Sequence, residues 1–167
     1  MKRLLIASLV VLPVCALAAT DPDSNFYKHA AQGGISEVEL GNLAAKKSHN
    51  PAVQEFGALM VKDHSAANEK LRAVAESKHM TLPKKAGAAE MATKAKLEVL
   101  SGSAFDKSYI KDMIKDHEQD IAEFKRESIS GQDPDAKAFA AATLPTLEEH
   151  LQKIKSLASS DGQTASR

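Results

Sequence analysis

The chain has 167 residues, 43% of them hydrophobic and only 4% aromatic, with 22 Lys and Arg balanced by 22 Asp and Glu. A chain with no net charge, no basic run and no aromatic-plus-basic patch is not built to bind nucleic acid, and its length is that of one ordinary domain with its own core. Ala, Leu, Lys and Glu are plentiful while β-branched and aromatic residues are sparse, so helix is expected nearly throughout.

Lys2 and Arg3 precede an apolar run from Leu4 to Leu12, too short for the roughly 20 residues of a bilayer span. Ala16-Leu17-Ala18 then supplies the small-x-small pattern of a signal-peptidase site. Residues 1–19 therefore read as a cleaved signal peptide and the protein as periplasmic. Cys15, the sole cysteine, falls inside that leader. Val14 before it disfavours a lipid anchor, and the mature chain has no thiol for a disulfide or a metal. Losing Lys2 and Arg3 leaves the mature chain two charges to the acidic side. No later stretch is apolar enough to be a transmembrane segment, and none alternates as a barrel strand does.

Helix-breaking residues divide the remainder. Long helices are expected at about 24–48 and 52–79, separated by Asn50-Pro51, with Pro51 suited to a first helical position. Leu82-Pro83 opens a linker to Gly102 that carries a shorter helix near Ala88 to Leu100. A third long helix follows at 103–130, closed by Gly131 to Pro134, and a fourth runs over 135–158 with Pro145 expected to kink it. Residues 159–167 read as a disordered tail, which leaves 20–158 as the domain. Apolar residues recur at steps of three and four on every long helix, for example Val53, Phe56, Met60 and Leu71, or Phe139, Leu147, Ile154 and Leu157. That is the seam of a helix bundle. The linker is long enough to travel back along such a bundle, giving a long-crossover order in place of simple up-down.

Four polar residues interrupt the seams: Glu37, His64, His117 and His150. Glu37 stands 14 residues before Pro51 and His64 stands 13 after it, so they face each other across one hairpin; His117 stands 17 before Pro134 and His150 stands 16 after it. At about 1.5 Å per residue all four fall near mid-helix, and one carboxylate with three imidazoles is a metal-ligand set. A single His on an apolar stripe is more often a satisfied core residue, and it is the shared depth that singles out this group. The carboxylates one or two places away, Glu39, Asp63, Asp116, Glu118, Glu148 and Glu149, are turned off the seam, immediate neighbours by about 100°, and are candidates to orient an imidazole across a helix interface. His29, His49 and His79 read as surface or helix-end residues, and Met60 and Met113 as core.

Several strings resemble a bacterial ferritin-like family, the domain of unknown function 4142, whose members often carry an outer-membrane-protein label. They are Ala30-Ala31-Gln32-Gly33-Gly34, Glu37-Val38-Glu39-Leu40-Gly41, Asn50-Pro51-Ala52-Val53, Met60-Val61-Lys62-Asp63-His64, Lys115-Asp116-His117-Glu118 and Thr143-Leu144-Pro145-Thr146-Leu147. The resemblance implies an all-α, ferritin-like four-helix bundle with a long connection between the second and third helices, in an exported protein, and no established activity. Iron-oxidising ferritins place Glu three residues before His on two helices. Here Val61, Ile114 and Leu147 hold those places before the three seam histidines, so a di-iron centre with oxygen chemistry is not expected.

The expectation is thus a periplasmic helical bundle holding a metal ion on Glu37, His64, His117 and His150. A histidine-rich, thiol-free set suits Zn, Cu or Ni better than Fe. With no nucleophile-and-base arrangement, binding or storage is expected ahead of turnover. The alternative is a metal-free module acting in envelope stress or on a protein partner, a second copy of itself included, and it calls for an exposed apolar patch.

Overall fold

Helices α1 (Ser24–Lys47), α2 (Pro51–Ser77), α3 (Ala88–Val99), α4 (Gly102–Ser130) and α5 (Pro134–Thr164) make up the chain, with no strand among the described residues, 23–164. Residues 1–19, expected to be a signal peptide, and Cys15 among them lie outside the described residues of this computed structural model. Both expected hairpin turns are present and are built alike. The Asn50 side chain accepts from Ala52 N at 3.0 Å, ahead of Pro51 as the first helical residue; Asp133 Oδ1 accepts from Asp135 N at 3.0 Å, ahead of Pro134. In each case the cap takes an orphan donor of the first turn, and the proline has none to lose.

Two helix ends differ from expectation. α2 stops at Ser77, because His79 adopts φ 56 while Met80 N and His79 N donate back to Ala75 O and Glu76 O at 2.9 and 3.1 Å. This left-handed cap closes the helix without a glycine. α5 runs on to Thr164, past its expected end at 158. Ser159 and Ser160 hydroxyls turn back onto Lys155 O and Leu157 O at 3.0 and 2.9 Å, so these small polar residues stay within helical geometry.

The linker is a crossover. One apolar cluster joins Leu40 and Ala44 of α1, Val53 and Phe56 of α2, Phe105 and Tyr109 of α4, and Ile154 of α5. The other joins Phe26 and Ala31, Leu71, Phe124, and Phe139 and Leu147 of the same four helices. α2 therefore ends at the second cluster while α4 begins at the first, and the two run parallel. α3 bridges the distance along α1 and α4, where Lys94 meets Glu39 at 2.8 Å, Lys96 meets Asp112 at 2.5 Å, and Lys47 Nζ reaches the α3 carbonyl of Glu98. Within the first hairpin the backbones nearly touch: a Cβ on Gly41 would stand 2.5 Å from Gly57 O, and one on Gly57 2.6 Å from Gly41 O.

Candidate metal centre

Between the two apolar clusters lies a polar layer. His64 enters it from α2, His117 from α4 and His150 from α5, and the three are only 6%, 0% and 1% exposed. One ring nitrogen of each lies within 4.8 Å of the others. Ring centroids are 5.8 Å apart for His64 and His117, and 5.5 Å for each other pair. Phe56 walls one side, 6.4 and 6.3 Å from the rings of His117 and His150. The depth reckoned from Pro51 and Pro134 thus brings all three histidines to one level.

Burial, followed by the neighbouring imidazoles His117 and His150, pushes His64 down to about 3. Burial and then His150 push His117 down to about 4, and burial also lowers His150. At neutral pH each ring is uncharged and carries one N–H. The outer partners assign where that proton sits. A carbonyl only accepts, so His117 Nδ1 donates to Met113 O at 2.9 Å. His150 Nε2 donates to the Asp63 carboxylate at 3.0 Å. The inward atoms, His117 Nε2 and His150 Nδ1, are left with lone pairs that face each other at 3.4 Å. His64 Nε2 is buried beside them with no hydrogen-bond partner.

Glu37 joins this layer differently from expectation. It is buried, but its Oε1 lies 3.8 Å from His117 Nδ1, the nitrogen turned away from His150, and it does not meet His64. Depth along a hairpin fixes a level, whereas helix phase fixes the neighbour, and the phase of α1 at residue 37 turns toward α4. Glu37 Oε2 has no partner. Burial first, then Asp120 and Asp116, holds this carboxyl well above the usual range. Asp120 was not singled out in the sequence, although it stands one turn after His117; burial and then Asp116 push it up to about 7. Asp116 is raised to about 6 by burial and then Asp112.

Among the other flanking carboxylates only Asp63 bonds to the cluster. Glu39 pairs with Lys94, Glu118 with Lys155 at 2.6 Å and Glu149 with Lys153 at 2.9 Å, each at the surface, and Glu148 is exposed. The chain does spell one Glu-x-x-His, Glu76-Ser77-Lys78-His79, but its His lies beyond the end of α2. A cleft of ≈ 210 Å³ between α2 and α5 reaches His64 and His150 and is lined by Asp63, Lys70, Thr143 and Glu149; a smaller one of ≈ 20 Å³, lined by Gly33, Asn68 and Asp120, also reaches His64. The exposed large hydrophobics among the described residues are Met91, Val99 and Ile129, on α3 and the far end of α4. No helix among the described residues is long and apolar enough to cross a membrane.

Solved structures share this fold. A DUF305 protein from Streptomyces coelicolor is 14% identical, with a TM-score of 0.70 over 84% of this chain and 93% of that one. A DUF305 fragment from Deinococcus radiodurans is 14% identical, with a TM-score of 0.73 over 83% and 96%. CopM in its Cu(II)-bound form is 13% identical, with a TM-score of 0.67 over 83% and 96%. No curated protein matches. Residues 13–157, nearly all of the helical region and the three histidines with it, match the domain of unknown function DUF4142, and the chain belongs to that family.

Proposed function

We propose that this protein is an exported metal-binding bundle that holds one transition-metal ion on His64, His117 Nε2 and His150 Nδ1. The observation that carries the reading is the pair of lone pairs facing each other at 3.4 Å. Two nitrogens bound to one metal at about 2.0 Å, at angles of about 110–120°, stand about 3.3–3.5 Å apart. His117 and His150 also give their other N–H to a carbonyl and a carboxylate, the outer arrangement that ligating histidines use. Copper is the first choice: imidazole suits it, and CopM, whose structures include Cu(II)- and Cu(I)-bound forms, has the same fold. Zn, Ni and Fe are the competitors. Glu37, 3.8 Å from His117 Nδ1 on its outer side, stands behind that ring and is not among the ligands of this reading, although its position in the sequence favours a ligand role. The long crossover supports a ferritin-like classification, and binding or delivery fits the site better than turnover.

The test is metal content by mass spectrometry on untagged protein purified from the periplasm, with a His64→Ala/His117→Ala variant alongside. Metal near one equivalent in the wild type, lost in the variant while the helical circular dichroism stays, is the expected result. A wild type that takes up none of Cu, Zn, Ni or Fe would sink the proposal and favour the metal-free partner module.

A further inference from the structure

Resting on that reading of the site, we infer that its cargo is a singly charged soft ion, cuprous copper, in preference to any divalent metal. The donor set is the reason. All three ligands are neutral nitrogens, and among the described residues no carboxylate joins them in the cluster. Asp63, the one carboxylate that hydrogen-bonds to the cluster among the described residues, lies outside it, behind His150 and partly at the surface. Glu37 stands behind His117 on the opposite side from the His117–His150 gap. The three rings are buried and Phe56 packs on two of them; the charged groups lining the cleft that reaches His64 and His150, which are Asp63, Lys70 and Glu149, lie outside the cluster.

Bringing an ion into such a place has a desolvation cost that rises with the square of its charge, so a divalent ion loses about four times as much hydration as a monovalent one. Neutral imidazoles return the same number of bonds to either but no countercharge. A divalent ion also completes its shell with a fourth ligand or more, which three histidines cannot supply and which must come from water through the cleft. A three-coordinate monovalent ion needs nothing further, and the single carboxylate of Asp63 balances its charge through the His150 N–H.

The experiment is anaerobic titration of the purified mature protein with Cu(I) against a chromophoric Cu(I) chelator, and with Zn(II), Ni(II) and Cu(II) against chelators of known affinity. Cu(I) is expected to bind at least about 100-fold more tightly than Zn(II) or Ni(II), with an X-ray absorption edge of a three-coordinate cuprous site. His64→Asp, which places one anionic ligand in the cluster, is expected to reduce the Cu(I)-to-Zn(II) affinity ratio at least about tenfold. Zn(II), Ni(II) or Cu(II) held as tightly as Cu(I) by the wild type, or an unchanged ratio in a folded His64→Asp, overturns this inference and leaves the metal site standing. Failure to bind any of the four ions overturns both.

Discussion

His117 Nε2 and His150 Nδ1 meet at 3.4 Å across the α4–α5 hairpin, each with its proton held on the opposite side of its ring. Two lone pairs at that distance repel, and a cation between them removes the repulsion. Loading is therefore expected to stabilise the fold. Free metal at about 100 times its dissociation constant adds about 2.7 kcal/mol, an increase of roughly 5–10 °C in the melting temperature for a domain of this size. Calorimetry with and without metal measures this, and His150→Ala is expected to abolish the shift.

Asp63 holds His150 from the outer side, and Glu149, which shares the cleft wall, pairs with Lys153 instead. Asp63→Ala is expected to weaken metal binding by about 10–100-fold while the apoprotein melts close to the wild type. Glu149→Ala leaves the affinity within about twofold, as suits a surface ion pair. Equal effects of the two substitutions would mean that Asp63 acts only through bulk charge at the cleft mouth.

The polar layer contains two sets of groups whose pH effects oppose each other. His64 and His117 are depressed to about 3 and 4 from an ordinary 6.5, so their contribution is complete above 6.5 and is lost as pH falls toward those values. Asp120 and Asp116 are raised to about 7 and 6 from 3.8, so theirs is complete below 3.8 and is lost as pH rises toward those values. Between about pH 4 and 6.5 the slopes run against each other. Asp120→Asn is expected to expose the histidine slope, with stability falling more steeply on acidification than in the wild type. His64→Leu is expected to tilt the dependence the other way. Denaturant titrations of the metal-free protein at pH 4.5, 5.5 and 6.5 compare the three proteins.

Gly41 and Gly57 set the spacing of α1 and α2, and each faces the carbonyl of the other. Because the obstacle is backbone, it cannot swing aside as a side chain would. Gly57→Ala is expected to destabilise by about 1–3 kcal/mol, despite the higher helix propensity of alanine, and to weaken metal binding by shifting the helix that bears His64.

Much of this architecture was legible because its punctuation is chemical. Asn50-Pro51 and Asp133-Pro134 mark helix starts by their missing donor and their capping oxygen, and counting outward from them brings His64, His117 and His150 to one level. What counting could not give is rotation about each helix axis. That is why Glu37 met His117 when His64 was expected, and why Asp63 could be separated from Glu39, Asp116, Glu118 and Glu149 only in three dimensions. Asp120 was within reach of the same reasoning, one turn beyond His117, but a carboxylate without a visible partner gives no pattern to find. The end of α2 at His79 was hidden because a left-handed residue there is usually glycine.

The crossover has a consequence for the life of the molecule. Since the connection over 78–101, with α3 in it, carries the chain from one apolar cluster to the other, the two hairpins are joined by one long strap, and they meet each other less closely than the helices within each. The three histidines come from both hairpins, so an ion bound among them is a clasp across the looser seam. Proteases cut a chain in its opened form, and the population of that form falls with every kilocalorie of binding energy. With synthesis held constant, the loaded protein is therefore expected to outlast the empty one under proteolysis.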